Sequence, residues 1–372
     1  MRLLFPSVAA GLALFAASAS AQQTPAAAQP PTAGGLYHVQ KTTKVGGEGG
    51  FDYVYADADG RRLYVARSGP TPRVTVFDLD TLAPAGEIPQ TGARGAATDP
   101  QSYHGFASSS PVAMWDTKTL TLVRTIPVDG RPDGILGDPF NHRVYVFSHS
   151  APNVTVLDAK DGSVLGTIDL GGAPEQAATD GQGHLYVDIE DKDRVAVVDA
   201  KTMKVTAQYS LNGKGGGDAG LALDAKNHVL FVACRNPQVM VMLDARDGKY
   251  LADLPIGQGC DGAAFNPKTM ECFSSQRDGT LMVIKETTPN RFVVEQTVTT
   301  MPGAKTLTLD SKTGKVLLIA AQYGPTPTPP PAAAPAAAPA TPPAGGQGGR
   351  GGFRGGRAPM VAGSFSVLVV GK

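Results

Sequence analysis

Residues 131–146 read Arg131-Pro132-Asp133-Gly134-Ile135-Leu136-Gly137-Asp138-Pro139-Phe140-Asn141-His142-Arg143-Val144-Tyr145-Val146, and this stretch decides the fold. Its first half is a short strand entered through Arg-Pro-Asp-Gly. Asp138 then opens a tight turn, because an Asp side chain bonds backbone amides close to it in the chain. Arg143 through Val146 starts a second strand of β-branched and aromatic residues.

Both halves recur along the chain. The second strand returns as Leu63-Tyr64-Val65-Ala66, Leu185-Tyr186-Val187, Leu230-Phe231-Val232-Ala233 and Val316-Leu317-Leu318-Ile319. A third strand ending in Asp follows, as in Val74-Thr75-Val76-Phe77-Asp78, Val154-Thr155-Val156-Leu157-Asp158 and Val195-Ala196-Val197-Val198-Asp199. These closing Asp residues fall roughly 40 apart, the length of one four-stranded propeller blade. Turns of the Asp138 kind precede six complete repeats, at Asp57, Asp99, Asp138, Asp180, Asp224 and Asn266. A seventh begins at Asp310 but lacks its outer strand. Residues 36–45 read as a strand with no blade of their own, and placed beside residues 364–370 they complete the seventh. The expected fold is all-β: a seven-bladed β-propeller of four-stranded antiparallel blades, closed by an N-terminal strand that completes the last blade.

Composition agrees. Of 372 residues, 45 are Gly and 30 Pro, and only 18% are charged, which suits many short strands and turns better than helices. Formal net charge is zero, so no global field draws the chain to nucleic acid or an anionic membrane. Arg2, the apolar run of residues 3–17 and the small-x-small step Ala19-Ser20-Ala21 read as a cleaved signal peptide over residues 1–21. Gln22 rather than Cys at the cut argues against a lipid anchor, and no later apolar run is long enough to span a bilayer. The mature protein is expected to be periplasmic or secreted, and monomeric. Residues 22–35 are a Pro/Ala-rich tether, and residues 36–372 form a single propeller. Within it, residues 324–360 are a Pro/Ala-rich and then Gly/Arg-rich insert in the last blade, expected to be disordered, with Arg350, Phe353, Arg354 and Arg357.

The run Arg131-Pro132-Asp133-Gly134-Ile135, leading into Asp138-Pro139 and Arg143-Val144-Tyr145-Val146, resembles the YVTN/YncE-like family of exported β-propellers. The similarity spans about residues 36–322 and 361–370. It implies the fold but no single activity, since relatives of this shape serve in binding, scaffolding and, in neighbouring families, lactone hydrolysis.

Propellers take ligands at the mouth of the central channel. Counting five residues back from each turn residue gives one position per blade: Asp52, Arg94, Asp133, Glu175, Ala219, Asp261 and Lys305. Six of the seven ionise where apolar strand residues follow, so these side chains should ring the channel mouth. The second strands return to the same rim, ending at Ser68, Ser108, His149, Glu190, Arg235, Gln276 and Ala321. The candidate ligand-binding residues are therefore Asp52, Arg94, Asp133, Glu175, Asp261, Lys305, His149, Glu190 and Arg235. Two readings stay open for them. Opposite charges close the mouth structurally, Arg94 with Asp52 or Asp133 and Lys305 with Asp52 or Asp261. Alternatively, surplus acid orients a polar ligand or attracts a cation, where oxygen ligands would favour Ca²⁺. No metal site and no cofactor is assigned. Cys234 and Cys260 fall at this rim in adjacent blades as a possible disulfide, and Cys272 takes a core position. His142, His184 and His228 are read as surface turn residues on the opposite face.

The first functional expectation is a non-catalytic binding or scaffold module for a small ligand or an envelope protein, because the chain shows no nucleophile motif, histidine metal cluster or phosphate loop. The alternative is a lactonase-like hydrolase, with His149 as base and Glu190 as its partner. The weakest is single-stranded nucleic-acid binding through Arg350, Arg354 and Arg357.

Overall fold

The computed structural model describes residues 36–69, 71–325 and 358–372, and its strands form seven four-stranded antiparallel sheets. Blades I to VI cover residues 50–89, 96–126, 132–168, 174–210, 218–255 and 260–299, each with its strands side by side in chain order. The innermost strands of neighbouring blades touch all the way round, blade I meeting blade VII.

Blade VII closes the ring as expected. Its inner strands Leu307–Asp310 and Lys315–Ala320 are followed by Ser366–Gly371 and, outermost, by His38–Lys44. The register runs from His38 opposite Gly371 to Lys44 opposite Ser366. The first and last described strands thus share one sheet, and Ser366–Gly371 is paired on both sides rather than left as an open edge. Tyr37 fastens the closing strand to blade VI as well. Its hydroxyl donates to Glu271, and the Gln296 carboxamide accepts from its N–H at 2.9 Å and donates to its carbonyl at 2.7 Å.

The turn residues explain why the repeat tolerates so much variation between them. In every blade the Asp or Asn that ends the inner strand accepts a backbone N–H two or three residues on, from Gly60 to Asp57 through Lys312 to Asp310. His142 and His228 sit in these turns at φ 54° and 57°, in keeping with their reading as turn residues.

The core is a set of layers between adjacent blades. Tyr64, Val74, Val76 and Ile88 of blade I, for example, pack on Ala96, Ala107 and Trp115 of blade II. Gly105 is required there, because a Cβ would lie 2.2 Å from the Trp115 ring. The described residues contain no helix long and apolar enough to cross a membrane. The expected signal peptide, the tether and most of the insert, with Arg350, Phe353, Arg354 and Arg357, lie outside the described residues.

Candidate functional site

A cavity of about 770 Å³ opens at one mouth of the channel, and eight of the nine candidate residues line it. The ninth, Asp261, is 5% exposed and joined to two of them, Arg235 and Lys305.

A shared backbone device aims these side chains. The inner strands of five blades are irregular at the same place, with register shifts between Phe51 and Val54, Pro132 and Ile135, Pro174 and Ala177, Asp218 and Gly220, and Cys260 and Ala263. Asp52, Asp133, Glu175, Ala219 and Asp261 fall inside these bulges. Arg94 and Lys305 lie two residues before the inner strands of blades II and VII. A bulge leaves its extra residue out of the ladder and turns it away from the sheet. Here that direction is the channel mouth.

The charged groups form one closed circuit of alternating sign. Arg94 joins Asp52 at 2.7 Å and Asp133 at 3.1 Å. His149 Nε2 lies 3.0 Å from both Asp133 Oδ2 and Glu175 Oε2. Arg235 stands 3.9 Å from Glu175 and pairs closely with Glu190 and Asp261. Lys305 pairs with Asp261 and, at 3.0 Å, with Asp52, which returns the circuit to its start. The expected partners of Arg94 and Lys305 are therefore all present at once.

Protonation follows from this order. Two carboxylates against one nitrogen raise His149 from 6.5 to about 10, overcoming the cost of burial. Burial raises the Glu175 carboxyl even though His149 pulls it down. For Lys305 and Arg235, burial works against the charge, yet the neighbouring carboxylates outweigh it and both are raised. His149 is thus a cation at neutral pH and holds no free lone pair for base catalysis. Its partners are Asp133 and Glu175, whereas Glu190 is on Arg235, so the expected His149–Glu190 base pair does not form.

Two residues that the sequence reading missed cross the channel. The Tyr53 hydroxyl of blade I donates to the Glu175 carbonyl of blade IV at 2.9 Å. Gln176 of blade IV reaches Leu221 of blade V and Ala263 of blade VI. Both residues line a second cavity of about 210 Å³ among the inner strands. The charged mouth is therefore a cup with a floor. Position alone could have flagged Gln176, which stands where blades III, V and VI carry Gly134, Gly220 and Gly262.

Other expected rim residues take structural roles. Ser108 is buried, its hydroxyl bonding the Gly95 N–H and the Asp133 carbonyl. Gln276 is fully buried, and it is Arg277, one residue later, that lines the cavity. Tyr323, just before the insert, and Ala358, within its described C-terminal end, border the cup too. Cys234 and Cys260 are buried free thiols, not a disulfide. Cys234 packs in the layer between blades IV and V, and Cys260 in the layer between blades V and VI. The two side chains therefore belong to different layers, although Arg235, next to Cys234, donates to the Cys260 carbonyl. Cys272 is in the core, as expected.

No family model matches the sequence, and no curated protein matches it. A chain in the crystal structure of the mitotic checkpoint complex superposes with a TM-score of 0.65 at 11% identity, covering 82% of this chain and 95% of its own. At that identity the likeness concerns fold alone. The protein is a seven-bladed β-propeller closed by its N-terminal strand.

Proposed function

We propose that this chain is an exported propeller of the YVTN/YncE type that works as a binding module, taking a small polar ligand or a protruding loop of an envelope protein into the charged cup. The observation that supports this reading is the floored cavity of about 770 Å³ walled by both signs of charge. A floored hollow suits capture rather than passage, and alternating charge suits a ligand that carries both signs, such as an amino acid or short peptide. Arg94, with 58% of its side chain exposed, is the ring member able to turn toward a ligand carboxylate. Binding is favoured over hydrolysis because the one histidine of the cup is held as a cation.

The test is a thermal-shift titration against a panel of amino acids, dipeptides and hydroxy acids, with pull-down from envelope extract alongside. Wild type should respond to at least one member or partner, and Arg94→Ala should lose that response. If nothing binds wild type in preference to Arg94→Ala, the reading fails.

A further inference from the structure

We infer that Asp133, His149 and Glu175 form a divalent-metal site in the wall of the cup. A single ring nitrogen, His149 Nε2, stands 3.0 Å from Asp133 Oδ2 and from Glu175 Oε2. One N–H cannot serve both oxygens well. Neighbouring ligands of an ion with bonds of about 2.0–2.2 Å stand about 3–3.6 Å apart; Nε2 keeps the short end of that spacing from each carboxylate, and the three ligand atoms all lie within 4.8 Å of one another.

A second observation concerns Asp133. Its side chain is 7% exposed, and Oδ1 accepts no hydrogen bond although Arg94 Nε lies 3.1 Å away. A buried carboxylate oxygen left this way is under-satisfied by protons alone. The backbone behind both acids is pinned. Ser108 donates to the Asp133 carbonyl and Tyr53 to the Glu175 carbonyl, so the pair is held in place before any ion arrives.

The charge count points the same way. The circuit sets five carboxylates, Asp52, Asp133, Glu175, Glu190 and Asp261, against the permanent cations Arg94, Arg235 and Lys305. With His149 neutral, as a ligand must be, the shortfall is the charge of one divalent ion. Arg277, further along the wall, reduces this excess but does not reverse it. One imidazole and two carboxylates favour Zn²⁺, Mn²⁺ or Fe²⁺ over Ca²⁺. The ion takes the place of the Nε2 proton, which leaves to solvent, and its remaining positions face the cup.

The site is tested with metal alone, so its outcome is separate from that of the ligand panel. Full-length protein stripped with chelator is dialysed against Zn²⁺, Mn²⁺ or Ca²⁺, and bound metal is counted by mass spectrometry. Wild type should take up one Zn²⁺ or Mn²⁺ per chain and no Ca²⁺. Loss of the imidazole in His149→Ala should weaken uptake about 100-fold, with Glu175→Gln as the second ligand variant should the first not fold. Arg94→Ala leaves all three ligands in place and removes a competing cation, so it should tighten uptake by about tenfold. No uptake by wild type at millimolar Zn²⁺, or equal uptake by the folded ligand variants, overturns the inference.

Discussion

The carboxamide of Gln176, on the inner strand of blade IV, makes a two-way hydrogen-bonded pair with Ala263 of blade VI. Its Oε1 accepts from the Ala263 N–H at 3.0 Å and its Nε2 donates to the Ala263 carbonyl at 3.0 Å. Oε1 also accepts from the Leu221 N–H of blade V at 2.9 Å. One side chain therefore ties three blades across the axis of the ring. Gln176→Leu leaves three backbone groups without this partner. At about 1 kcal/mol for each bond it should cost about 2–4 kcal/mol in urea unfolding. A change within about 0.5 kcal/mol would show that the staple bears no load.

His149 should titrate far from an ordinary imidazole. In metal-free protein its ring-proton NMR midpoint should lie near 10 rather than 6.5. Because the folded value is raised, the stabilisation is fully present below 6.5 and is lost as pH rises toward 10. Glu175→Gln removes one of the two carboxylates, brings the midpoint back toward 6.5 and flattens that loss. An unshifted midpoint in both proteins would contradict the circuit.

Behind the cup, Asp188 and Asp218 are fully buried, and both oxygens of Asp218 lack hydrogen-bond partners. Burial lifts Asp218 from 3.8 to about 7 and Asp188 well above the carboxylate range, with the Asp218 charge adding to the latter. Here the folded form binds protons that the unfolded chain has released. Stability should therefore fall as pH climbs from about 4 to 7. Asp218→Asn should reduce this decline, leaving the share that burial of Asp188 contributes, and raise the melting temperature at pH 8 more than at pH 5. An equal shift at both pH values would refute it.

The cysteines offer a simple check on the blade layers. Burial pushes the Cys260 thiol up to about 12 and holds Cys234 and Cys272 higher still. A thiol reagent should find none of the three in native protein and all three in denaturant, without prior reduction. Two thiols missing after denaturation would mean that Cys234 and Cys260 are bridged after all.

Much of the site was legible because the repeat carries its own phase. Once Asp138 marks the end of an inner strand, five residues back is the same position in each blade, and in four blades a bulge there turns an acidic side chain, Asp52, Asp133, Glu175 or Asp261, toward the charged circuit. The partners of Arg94 and Lys305 were legible, but those of His149, Glu190 and Arg235 were not. Glu190 and His149 occupy equivalent positions in neighbouring blades, yet one meets Arg235 and the other meets two acids. That choice depends on which residues the closed ring brings side by side. Cys234 and Cys260 were misread for a related reason, since nearness along a rim says nothing about which face of a blade a side chain leaves from.

Local chemistry written into the sequence determined the blades: Asp at the turn, Val and Tyr on alternating strand faces, and an unpaired strand at each end of the repeat. These act over a few residues, so they can be read from the chain. Only the tertiary structure decided the floor of the cup and the single circuit above it. Gln176 and Ala263 are 87 residues apart, and Lys305 and Asp52 are 253 apart. The Lys305–Asp52 pair exists only after the first and last blades have met, and the Gln176–Ala263 pair only after blade V has set the inner strands of blades IV and VI within reach of one side chain.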